Sequence, residues 1–168
     1  MTHRSLLVLA TILAACSPSF PGTPVAAAGV RFTAPPGWDA RLAPPTTEAQ
    51  HLLGWAANVP LDRACDPAVC AVPVASIADE AVLVSWFTYN CLPNCRLGDP
   101  GRTLIGGREA TRETDAGTCA LDAARVERIV VRVTPQRNDI LVVCAGASAS
   151  AGLRELDALL ASINWTVP

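Results

Sequence analysis

Seven cysteines, Cys16, Cys65, Cys70, Cys91, Cys95, Cys119 and Cys144, are the residues whose type and spacing say most about this chain's chemistry. Thiolates ligate metals, exchange disulfides or pair into a covalent framework. The first two uses fit poorly. Cys65 and Cys70 form C-x4-C and Cys91 and Cys95 form C-x3-C, whereas redox enzymes and zinc ribbons favour C-x2-C. Beyond the N-terminal segment the only histidine is His51. No Cys/His metal set can be assembled, and neither a metal nor a cofactor is expected.

Other chemistry is equally constrained. Gly146-Ala147-Ser148-Ala149-Ser150 approaches a nucleophile elbow but carries serine where G-x-S-x-G needs its second glycine. With His51 as the single candidate base, no Ser/His/Asp triad follows, and no catalytic residue is assigned. Carboxylates occur at Asp79-Glu80 and at Glu109, Glu113 and Asp115. Glycoside hydrolysis needs two of them across a cleft, which spacing does not show. On alternating strand positions Glu109, Glu113 and Asp115 share one face and Arg108 and Arg112 the other, while Arg128 and Arg132 share a face of the next strand. Arg108, Arg112, Arg128 and Arg132 are therefore the candidate ligand-binding set: an arginine-lined sheet face for an anionic small ligand such as a lipid headgroup or phosphate. The competing reading is a solvated face of cross-strand charge pairs. Trp38, Trp55, Trp86 and Trp165 either pack the core or, where exposed, mark a binding surface.

The N-terminal segment sets the compartment. Arg4 precedes an apolar run, Leu6 to Leu13, interrupted by Thr11 and followed by Ala14-Ala15-Cys16. A bilayer-spanning helix needs about 20 apolar residues, so this run reads as a cleaved signal. Leu13-Ala14-Ala15-Cys16 resembles the lipobox of bacterial lipoproteins, whose cysteine takes a diacylglyceryl thioether and becomes the mature N-terminus. The resemblance implies a signal peptide over 1–15, a palmitate-bearing lipid on Cys16 and a place on the extracytoplasmic face of the bacterial cell membrane. Ala26-Ala27-Ala28 is a competing cleavage site, but it lies far beyond the apolar run. With Cys16 lipidated, six cysteines remain, and in an oxidising compartment six read as three disulfides. Of the connectivities open to them, the economical one is Cys65–Cys70, Cys91–Cys95 and Cys119–Cys144. The last would contribute about 3 kcal/mol through loop closure.

Every basic residue is arginine, and from Cys16 onward 12 arginines meet 15 acidic residues, a net of −3. Nucleic-acid partners, which need a strongly basic face, are excluded. The elements that must position these residues follow from periodicity. Residues 16–29 read as the lipidated N-terminus and a Pro/Ala-rich tether, and 30–168 as one extracytoplasmic domain. Strands are expected over 30–34, 38–42, 51–59, 81–89, 104–105 with 108–114, 125–133, 139–144 and 163–167. The segment 47–59 also carries a capping-box pattern and helical spacing. Ser148 or Ser150 is placed to cap a helix over 151–161, whose leucines form an apolar stripe. The sum is an α+β domain: a mostly antiparallel sheet packed by one C-terminal helix, with three disulfides.

Three stretches, V-x-F-x-x-P-P-G-W (Val30 to Trp38), I-G-G-R-E-A (Ile105 to Ala110) and L-x-x-L-x-x-L-L-x-S-I-x-W (Leu153 to Trp165), are similar to small extracytoplasmic lipoproteins of GC-rich bacteria. More distantly they resemble PsbP-like domains, antiparallel sheets sandwiched by helices. That resemblance implies a non-enzymatic binding or accessory role and transfers no site residue. The expected function is a lipid-anchored envelope module whose partner is an envelope protein or an anionic small ligand. An envelope hydrolase and a purely structural envelope component are the alternatives.

Overall fold

A computed structural model describes residues 22–27, 29–43, 48–65, 70, 72–98, 101–115 and 117–166; Leu13 to Cys16 and residues 17–21 lie outside them. Among the described residues run β1 (Thr23–Ala27), β2 (Val30–Ala34), β3 (Asp39–Leu42), β4 (Gln50–Ala57), β5 (Val82–Asn90), β6 (Arg102–Ile105), β7 (Arg108–Thr114), β8 (Arg125–Thr134), β9 (Arg137–Ala145), α1 (Ser150–Ser162) and β10 (Asn164–Trp165). Seven strands form one antiparallel sheet in the order β3-β4-β5-β9-β8-β7-β6, and three form a second, β1-β2-β10. The architecture is mostly antiparallel sheet with one C-terminal helix and three disulfides. These join Cys65 to Cys70, Cys91 to Cys95 and Cys119 to Cys144.

β5 lies inside the large sheet, between β4 and β9, as its apolar residues on both faces require. Each face has its own cover. On one, Val84, Trp86, Ile129, Val131, Leu141 and Val143 pack against Leu156, Leu159 and Leu160 of α1 and against Val30, Phe32 and Trp165 of the small sheet. Phe32 and Trp86 have ring centroids 5.8 Å apart, and Trp86 and Trp165 meet edge-on at 6.4 Å. On the other face no described helix lies. Trp55, Leu83 and Cys144 are roofed there by Leu61, Cys65 and the partly buried Val72, Ile77, Cys119 and Leu121. This roof spans the β4–β5–β9 region and leaves the far half of that face open.

The ambiguous 47–59 segment is strand from Gln50 to Ala57, paired with β3 and β5. Its helix-like spacing arises from a bulge between Leu52 and Gly54, where one extra residue breaks the period of two. Gly54 is required there. Its φ is 149°, and a Cβ would meet the Arg41 carbonyl oxygen of β3.

Two expectations need correcting. Residues 23–27, read as tether, are β1, paired with β2 from Thr23↔Ala34 to Ala27↔Val30. Pro24 is compatible because β1 is an edge strand and need not donate on its outer side. Neither Ser148 nor Ser150 caps α1; the N-cap is Ala149 and no side chain bonds the first turn. The approach is held by backbone bonds, Ser148 N to Asp79 O at 2.7 Å and Gly146 N to Ala81 O at 3.0 Å.

Candidate functional site

Two groups of charged residues matter most in this fold: one buried with its bonding capacity used, the other lining a groove with capacity to spare. Asp139 is the extreme of the first. Its alternation along β9 with Leu141, Val143 and Ala145 turns it to the helix-covered face, where it is fully buried. Its Oδ1 accepts from Thr88 Oγ1 at 2.9 Å and Arg137 Nε at 2.8 Å. Its Oδ2 accepts from Trp165 Nε1 at 2.9 Å, Arg137 Nη2 at 3.1 Å and Trp86 Nε1 at 3.2 Å. A carboxylate offers about four lone-pair sites. Asp139 is saturated, so it ties β5, β9 and β10 together and has nothing left for a ligand.

Arg112 is the second such group. On the same face it donates from Nε and Nη2 to the buried Glu127 carboxylate and from Nη1 to Asp157 of α1 at 2.6 Å. The Glu127 hydrogen bonds hold its guanidinium above the already high arginine value. Arg125 approaches the same carboxylate at 4.0 Å. An open groove of about 590 Å³ lies here between β6 and α1, but these charges satisfy one another.

The opposite, unroofed half-face differs. A groove of about 610 Å³ runs beside the Cys91–Cys95 loop. Its wall carries Tyr89 from β5, Arg96 from the loop, Glu113 from β7, Arg128 from β8 and Asn138 from β9. The antiparallel register places Glu113 opposite Arg128 and Tyr89 opposite Asn138. No ion pair engages Arg96, Arg128 or Glu113 among the described residues. Asn138 is 6% exposed. Its Nδ2 donates to Arg96 O at 3.3 Å, while its Oδ1 has no partner.

The four arginines singled out from sequence are not brought onto one face. Arg108 and Arg112 face the helix side, and Arg128 and Arg132 the other, as the pairing Arg112↔Ile129 and Glu113↔Arg128 requires. Arg132 pairs with Glu109 across the strands. Only Arg128 lines the open groove. All four tryptophans are buried, so none is an exposed anchor. His51 contacts the Glu48 carbonyl oxygen at 3.2 Å. No group of three or more metal-ligating side chains occurs among the described residues. Asp139, Glu127, Asn138, Arg96 and Tyr89 were not singled out from the sequence. The first two carried a signal, a carboxylate at a core-facing position of an apolar strand; the groove residues carried none.

Comparison with protein-family models, with curated proteins and with solved structures finds no match. Three disulfides are the mark of an extracytoplasmic protein. No described helix is long and apolar enough to cross a membrane.

Proposed function

We propose that this chain is a lipid-anchored protein of the bacterial cell envelope that acts as a non-enzymatic binding or accessory module through its open-face groove. The observation carrying this reading is the contrast in bonding state. On the helix-covered face Asp139 and the Arg112–Glu127–Asp157 cluster are satisfied by the protein itself, whereas polar groups from four strands and a stapled loop line the groove, where Arg96, Arg128 and Glu113 make no ion pair among the described residues. Convergent polar groups in a concavity are what a ligand site needs. The lipobox-like Leu13-Ala14-Ala15-Cys16, which lies outside the described residues, supports the anchor, and the likeness to PsbP-like domains supports an accessory role. A photo-crosslinking residue at position 89 should form adducts in the native envelope that one at position 154, on the exposed side of α1, does not. Substrate turnover abolished by Glu113→Gln would instead establish an envelope hydrolase. For the anchor, Cys16→Ser should abolish lipid labelling and release the protein from the membrane fraction; persistence of both would disprove it.

A further inference from the structure

Resting on the groove as the binding site, we infer that its ligand is a phosphate ester bearing hydroxyl groups. Arg96 and Arg128 bring two guanidiniums to one concave wall, and neither has an ion-pair partner among the described residues. The chain as a whole carries a net charge of −2, so this is a local positive excess in an acidic protein. Among the described residues the one carboxylate on the wall, Glu113, balances only half of it. A single guanidinium fork satisfies a planar carboxylate bidentately, whereas the tetrahedral oxygens of a phosphate accept from two forks approaching from different sides. The remaining carboxylate calls for donors on the ligand. Glu113, opposite Arg128 in the register, makes no ion pair among the described residues and keeps acceptor capacity on the groove wall. Hydroxyls of a polyol donate to the Glu113 carboxylate, and the exposed ring of Tyr89 gives the carbon backbone a flank to lie against.

This chemistry is shared by a membrane headgroup such as glycerol phosphate on a lipid and by a soluble polyol phosphate. Tyr89 is the only tyrosine in the chain, so 13C-tyrosine labelling yields one ring signal that reports on the groove. In the full-length lipidated protein held in non-ionic detergent, glycerol 3-phosphate should shift that signal saturably. Charge-assisted hydrogen bonds of this kind carry about tenfold or more in affinity each. Arg128→Gln and Arg96→Gln should each weaken binding by that factor, with Arg154→Gln unchanged. Arg128→Lys, which keeps the charge and loses the fork, should fall between, and an undisturbed ligand-free Tyr89 signal in each variant verifies the fold. In nanodiscs, a shift with phosphatidylglycerol that is absent with phosphatidylcholine and lost in Arg128→Gln assigns the membrane source; a response to the soluble ester alone assigns the free one. Equal binding of gluconate overturns the phosphate class. Equal shifts with uncharged glycerol overturn the anion and leave the groove as a binding site. No shift with any of these probes, in detergent or in nanodiscs, overturns the groove itself.

Discussion

The Asp139 carboxylate receives hydrogen bonds from Trp86, Thr88, Arg137 and Trp165, so its substitution has consequences in three strands. Asp139→Asn keeps the shape, removes the charge that pairs Arg137 and places an amide N–H where an acceptor is needed. Breaking a buried, hydrogen-bonded charge pair costs about 3–5 kcal/mol; because Arg137 keeps some solvent contact, the expected loss is near the lower end, about 3 kcal/mol. Urea unfolding measures it, and a variant within about 0.5 kcal/mol of the parent would show that Asp139 is not the joint between β5, β9 and β10. Tryptophan offers a paired comparison. The Trp165 indole donates to Asp139, whereas Trp55 Nε1 is buried without a partner. Both lose similar volume on change to phenylalanine. Trp165→Phe should therefore cost about 1.5–3 kcal/mol more than Trp55→Phe, the worth of a hydrogen bond to a charged group; equal costs in denaturation would remove that bond from the account. Asp139 was also legible. Once 139–144 reads as a strand with Leu141 and Val143 inward, Asp139 falls on the same face, and Glu127 stands likewise beside Ile129 and Val131. An acid in a core register announces a buried partner. Arg96 had no such signal, because its place on the groove depends on how its loop bonds to the β8–β9 turn and to Asn138.

At the scale of elements, periodicity located the strands and the helix because burial on one face imposes a period on the sequence. It misled where that period was interrupted. The bulge at Leu52–Gly54 made β4 resemble a helix, and Pro24 made β1 resemble a tether, since a proline is tolerated only at an edge that pairing alone reveals. Gly54 tests the first point. A Cβ there has no room against β3 and the φ is one that other residues rarely adopt, so Gly54→Ala should destabilise by about 2 kcal/mol or more, from strain and close contact together. Thermal unfolding reads this directly; a melting temperature unchanged from the parent would mean that β3 and β4 separate freely. The disulfides scale with the chain they close. Cys119–Cys144 spans 25 residues and Cys91–Cys95 spans 4. Replacing the first pair by alanine should cost about 3 kcal/mol, and the second clearly less. The long bridge reinforces the roof over Leu83 and Trp55, while the short one shapes the groove wall, so its loss should be felt in ligand affinity more than in unfolding.

For the molecule as a whole, β1 sets how far the groove could lie from the membrane under the proposed anchoring at Cys16. Read as tether to residue 29, the N-terminal segment would hold the domain roughly 40 Å from a lipid on Cys16 at full extension. With Thr23–Ala27 committed to the small sheet, the chain from Cys16 to β1 reaches only about 25 Å. A short connection raises the effective concentration of headgroups at a groove that binds them, and that concentration falls as about the −3/2 power of connection length. Inserting twenty Gly/Ser residues between Cys16 and Gly22 should therefore lower groove occupancy in phosphatidylglycerol nanodiscs roughly five- to tenfold. The affinity for soluble glycerol 3-phosphate should not change, because the insertion touches neither Arg96 nor Arg128. The two Tyr89 signals, one in nanodiscs and one in detergent, separate these effects. Occupancy that is indifferent to the insertion would mean that anchoring and ligand capture are independent. An insertion that also weakens the soluble ligand would mean that the N-terminal segment contributes to the groove itself.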